Sequence, residues 1–128
     1  MIDNIYNQKI LEYAMNLPEN NLLSDAEFYG AARSKLCGSE MKISFNSAQN
    51  KISTYGHEVK ACALGQACAS VVSNKIHLVT LTQIEEAAKM MEDLLNGRSF
   101  EFLPLFDDLK YFEPIKDYSA RHGSVMLV

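Results

Sequence analysis

The chain has 128 residues, 48% of them hydrophobic and 22% charged, the balance of a soluble globule able to bury its own core. A net charge of −4, with 12 basic residues scattered along the sequence, excludes the clustered Lys and Arg that a nucleic-acid surface demands. No run has the length of a membrane span, and "MIDNIYNQKI" lacks the basic start and apolar block of a secretory signal, so a cytoplasmic protein with reduced thiols is expected.

In chain order, Asp3 is expected to cap a first helix whose apolar stripe is Tyr6, Ile10, Tyr13, Ala14 and Leu17, and "NLPENN" stops it. "EMKISFN" alternates, with Met41, Ile43 and Phe45 on one face and Lys42, Ser44 and Asn46 on the other. "SAQN" turns the chain into a return strand, "KISTYGHEVKA", where Gly56 marks a bulge or a close approach. A helix then begins near Cys62 and runs to about Lys75. Another opens on "TQIE", read as a capping box from Thr82 to Glu85, and stops at Asn96-Gly97. "LPLFDDLKYFEPI" reads as a short helical turn or connector, and "DYSARHGSVMLV" as a closing helix capped near Asp117 or Ser119. No repeat, low-complexity stretch or linker interrupts this order. The expectation is one α+β domain over residues 1–128, a small antiparallel sheet with helices on one face.

The chemistry of such a chain rests on its thiols. Three cysteines cannot all pair with one another, which leaves packing, reactive thiol or metal ligand. Cys62 stands where a strand hands over to a helix, and free N–H groups at a helix start favour a thiolate. Cys68, about 240° further round the same helix, sits among Ala67, Ala69 and Val71 and reads as core packing. Cys37 lies in "RSKLCGSE", a loop where Gly38 permits a tight turn for a metal site or for any other purpose. A hairpin between the two would return the chain near its starting point. His122, in "SARHGSVML", is either a half-buried polar residue or the imidazole that completes a Cys–Cys–His set for zinc. His57 and His77 read as structural or surface residues. There is no CxxC pair, GxGxxG, P-loop or GxSxG.

The succession of helix, "CG" loop, hairpin, "VKACALGQACAS" helix start, second helix and final helix resembles the iron–sulfur cluster assembly scaffolds of the NifU/IscU/SufU type over nearly the whole chain. The resemblance matches Cys37-Gly38 to the first cysteine motif and Cys62 to the second, and gives Cys68 no counterpart among the ligands. Ser39 stands where the family usually has an aspartate, and Val59 and Ala61 where it usually has glycines. The third cysteine is missing: either His122 or Gly123 takes its place in "RHGS".

The resemblance implies a non-catalytic scaffold that accepts sulfur from a cysteine desulfurase and serves cluster-receiving apoproteins. It would hold a transient [2Fe–2S] cluster or a zinc ion between Cys37, Cys62 and His122, with a fourth ligand from Ser39, Glu40, water or a partner. "FEPIK" resembles the family segment that chaperones recognise, but the extra "DYSAR" after it speaks against a chaperone contact. The alternative is a zinc-binding sulfur acceptor or interaction protein that has lost cluster assembly. A thiol enzyme, with Cys37 or Cys62 as nucleophile and His122 as base, ranks last for want of an orienting third group.

Overall fold

The structure, a computed structural model, describes residues 6–128. The first helix, α1, runs Gln8–Met15 and places Ile10 wholly inside, with Tyr6, Tyr13 and Ala14 packed around it. The expected cap at Asp3 lies outside the described residues. α1 itself starts behind Asn7, whose side chain accepts the Ile10 N–H at 3.1 Å. Leu17 falls beyond the helix end.

The expected hairpin is part of a three-stranded antiparallel sheet ordered β1 (Phe28–Arg33), β2 (Glu40–Ala48) and β3 (Lys51–Lys60). β1 escaped the sequence reading because "FYGAAR" shows no alternating burial; pairing with β2 makes it a strand, and Phe28 stacks on Phe45 at 5.2 Å. Gln49 and Asn50, both at positive φ, form the two-residue turn between β2 and β3 that matches strand twist.

The bulge falls between Asn46 and Ser47, and Gly56 marks the close approach. Ser44 and its partner Gly56 face away from the side where Phe45 and Tyr55 meet the core. The Asn21–Leu23 segment crosses that second face. Leu23 N–H donates to Ser44 Oγ at 2.7 Å, Asn21 N–H donates to the His57 carbonyl at 3.0 Å, and a Cβ on Gly56 would collide with the Asn21 carbonyl. His57 is structural, as expected: its buried ring bonds the Pro18 carbonyl, Tyr55 and Ser73. His77 is exposed and bonds the Ile52 carbonyl at 3.0 Å.

α2 (Ala63–Ser73) lies along α1 and is buried over most of its length. Its small residues serve a helix contact as much as the sheet, because Gly65 leaves room for Ser124 at a distance a Cβ would close to 2.6 Å. α3 (Leu81–Leu95) turns Met91, Leu94 and Leu95 inward and stops at Asn96-Gly97, with Gly97 at positive φ. Its capping box joins Thr80 and Gln83, two residues before the expected Thr82–Glu85 pair. The hairpin sets this start. Thr80 bridges Lys51, Leu81 N–H reaches the Asn50 carbonyl at 2.8 Å, and Thr82 Oγ1 is taken up by the Asn50 amide at 3.2 Å.

Thr80→Ala removes a donor–acceptor pair from this cap. It is expected to lower stability by about 1 kcal/mol, read as a shifted denaturant midpoint at unchanged slope.

The expected short helical turn or connector is a 14-residue 3₁₀ stretch, Pro104–Asp117, that buries Phe106, Leu109, Phe112 and Ile115. α4 (Ser119–Val125) closes the core with Val125. The architecture is α+β, as expected, with the helices gathered on one face of the sheet and the Asn21–Leu23 segment on the other. Among the described residues no helix is long and apolar enough to cross a membrane.

Candidate functional site

The β1–β2 hairpin turn carries Cys37. Ser34 N–H donates to the Ser39 carbonyl at 2.8 Å and Gly38 N–H to the Ser34 carbonyl at 2.9 Å, with Gly38 at φ 72°, so Cys37 sits on a closed, tight turn. Only glycine holds that backbone region without cost, which is the local reason for the Cys-Gly pair. Cys62 is the N-cap residue of α2, with extended backbone at ψ 173°. Its carbonyl accepts the Gln66 N–H at 2.9 Å, while its side chain is directed elsewhere and caps nothing.

Both thiols converge on buried hydroxyls. Cys37 Sγ lies 3.2 Å from Ser39 Oγ, and Cys62 N–H donates to the same oxygen at 3.4 Å. Cys62 Sγ lies 3.2 Å from Ser124 Oγ, which in turn donates to Ser39 Oγ at 3.4 Å. Ser39 therefore joins the cysteine turn, the α2 start and α4 at one atom. Ser34, Ser39 and Ser124 are all buried, and both cysteines are half-buried.

The hydroxyls set the acidity of the turn thiol. Hydrogen bonds from Ser34 and then Ser39 favour the thiolate and lower the Cys37 pKa from 9.0 to about 7, against a smaller opposing effect of burial. Cys68 behaves oppositely. It is buried against an apolar cavity of about 50 Å³ lined in part by Val72, Met91 and Phe106, and burial alone pushes its thiol up to about 12. A thiol so held is inert.

Alkylation reads this contrast directly. Cys37 is expected to react with iodoacetamide with a midpoint near pH 7. Ser34→Ala and Ser39→Ala should each move that midpoint upward, as peptide mass spectrometry of the labelled turn would record. A midpoint that neither serine moves would mean that the hydroxyls do not hold the thiolate.

His122 is engaged elsewhere. Its Nε2–H donates to the carbonyls of Ile115 at 2.9 Å and Lys116 at 3.1 Å, so Nδ1 is the ring nitrogen that these contacts leave unused. Two residues on, Ser124 faces Cys62, about 200° round the helix from His122. Gly123 takes an intermediate bearing: a Cβ there would come within 2.6 Å of Ser34 Oγ, beside the cysteine turn. Glu40 lies 3.9 Å from Lys60, its neighbour across the strands, in an exposed pair. Among the described residues, no group of three or more His, Cys, Asp or Glu side chains is assembled to hold a metal ion.

The structure thus brings Cys37 and Cys62 around one hydroxyl and turns His122, on α4, against the carbonyls of the 3₁₀ stretch. Ser34 and Ser124 were missed from sequence. A serine is ordinary in any turn or helix, and nothing local marks one whose oxygen is enclosed by distant segments.

Solved structures resemble the chain throughout. A nitrogen-fixing NifU-like protein (N-terminal part) from Brucella abortus superposes with a TM-score of 0.92 at 38% identity, over 98% of this chain and 88% of the other. A protein assigned as an iron–sulfur cluster assembly scaffold for the SUF system, from the thermophile Fervidobacterium islandicum AW-1, shares the fold with a TM-score of 0.87 at 23% identity, over 98% of this chain and 91% of the other. No protein-family model and no curated protein matches the chain.

Proposed function

This chain belongs to the NifU/IscU/SufU-type family, and on that footing we propose that it is an iron–sulfur cluster assembly scaffold or sulfur acceptor, without turnover of its own. The observation that carries the reading is the convergence of Cys37 and Cys62 on the Ser39 hydroxyl from two different elements. One thiol of the pair is already acidic enough to be half thiolate near neutral pH.

Sulfur enters from a cysteine desulfurase that carries a persulfide. The Cys37 thiolate attacks the outer sulfur of that persulfide, the donor's S–S bond breaks, and the donor cysteine leaves as a thiolate. Cys37 is then the persulfide. The Ser34 and Ser39 hydroxyls hold the attacking thiolate before transfer. Cys62, on the far side of Ser39, offers the second sulfur for gripping iron, and the finished [2Fe–2S] cargo passes to apoproteins.

His122 is the third donor in this reading. With its Nε2–H on two carbonyls, its Nδ1 is the one nitrogen with a lone pair for a metal, the pattern in which a backbone carbonyl orients a ligating imidazole. The direction of Gly123 toward Ser34 supports the alignment in which Gly123, and not His122, takes the place of the family's third cysteine. Two thiolates and one imidazole leave a position open for water, a carboxylate or a partner residue.

Anaerobic reconstitution with ferrous iron and sulfide tests this. A visible chromophore that depends on Cys37 and Cys62 is expected. No chromophore together with no sulfur uptake from a desulfurase would overturn the reading. Serine at 39 and glycine at 123 favour a second one, a zinc-binding sulfur acceptor that no longer builds clusters. About one tightly held zinc per chain, unmoved by iron and sulfide, would select it.

A further inference from the structure

We propose that two copies of this chain join edge to edge along β1, centred on Ala31, to make one continuous antiparallel sheet. The inference stands apart from the cysteine site and its function.

Of the two sheet edges, β3 is covered. Asn21 N–H donates to the His57 carbonyl at 3.0 Å, Asn20 Oδ1 accepts the Val59 N–H at 3.0 Å, and Thr80 bridges Lys51. β1 pairs with β2 and, among the described residues, with no other strand. It runs six residues with no proline, no lysine and no bulge, the usual devices against edge pairing.

The outward groups follow from the ladder. Ser34 N–H bonds the Ser39 carbonyl, so the alternation places Phe28, Gly30 and Ala32 in hydrogen-bonded pairs with β2. The N–H and C=O groups of Tyr29, Ala31 and Arg33 therefore point away from the sheet.

A second copy is the occupant because this edge complements itself. With a two-fold axis at Ala31, Ala31 meets Ala31 of the second copy, and Tyr29 meets the second copy's Arg33 at both ends. Every outward group of those three residues then finds a partner. The Tyr29 ring is 59% exposed and lies across from a guanidinium, a favourable cation–π pairing. Antiparallel pairing sends the two Cys37 turns to opposite ends of the shared ribbon and leaves both sites open.

The test is sedimentation of reduced, chelator-treated full-length protein across the micromolar to millimolar range. A reversible monomer–dimer equilibrium is expected, with the amides of Tyr29, Ala31 and Arg33 slowed in hydrogen exchange as the dimer fills. Ala31→Pro removes only an outward N–H, which an edge strand tolerates. Ala31→Asp sets two carboxylates face to face across the axis. Both variants should remain monomeric at concentrations where the parent is mostly dimer. A parent that stays monomeric throughout, or a dimer that both variants leave intact, overturns the proposal.

Discussion

Cys37→Ala and Cys62→Ala are each expected to reduce retention of iron–sulfide or zinc to background, whereas Cys68→Ala retains it and loses about 1 kcal/mol of stability. The first two remove sulfurs held beside linked hydroxyls, Cys37 Sγ at Ser39 and Cys62 Sγ at Ser124. The third removes a buried sulfur that lines an apolar cavity, and its cost is that of enlarging that cavity. Metal analysis and reconstitution of the three variants side by side read the difference, with thermal melts reporting the folded fraction. Metal loss in Cys68→Ala with retention in Cys62→Ala would reverse the roles assigned to the two thiols on α2.

Gly56→Ala is expected to cost about 2–3 kcal/mol, as much as a poor core substitution, although it adds one methyl group. That methyl would point at the Asn21 carbonyl and approach Leu23 N within 3.0 Å. Both are backbone atoms with no rotamer by which to yield. The crossing segment must lift, and with it go the Leu23–Ser44 and Asn21–His57 bonds. Chemical denaturation gives the magnitude, and faster exchange of the Asn21 and Leu23 amides gives the mechanism. A change below about 0.5 kcal/mol would show that this segment does not press on the sheet.

These two outcomes also separate what was legible in the sequence from what was not. The β2–β3 hairpin, the α2 start at Cys62 and the α3 stop at Asn96-Gly97 follow from local signals: alternation, a strand-to-helix change, a glycine at positive φ. Cys68 was legible because helix geometry and its small apolar neighbours already turned it inward. β1 was not, since its strand character comes from partnership with β2 and not from a buried face. The α3 cap was misplaced because Asn50 of the hairpin takes Thr82, a contact no local window contains. At the site, the cysteines carried a signal and the serines did not. Ser39 was read as the residue at the family's aspartate position and a possible fourth ligand, yet in the structure it ties the two thiol-bearing elements together. His122 was singled out for its chemistry, but its direction depends on the Ile115 and Lys116 carbonyls of a 3₁₀ stretch that was read as a short helical turn or connector.

The bond between Cys62 and Ser124 spans 62 residues, and that between Ser39 and Ser124 spans 85. A ribosome that has made the sheet and α2 has therefore released both thiols without the hydroxyl that encloses them. Until α4 emerges and docks on Gly65, Cys62 lacks its Ser124 neighbour, so the linked thiols and hydroxyls are reserved for polypeptides whose synthesis has passed that helix.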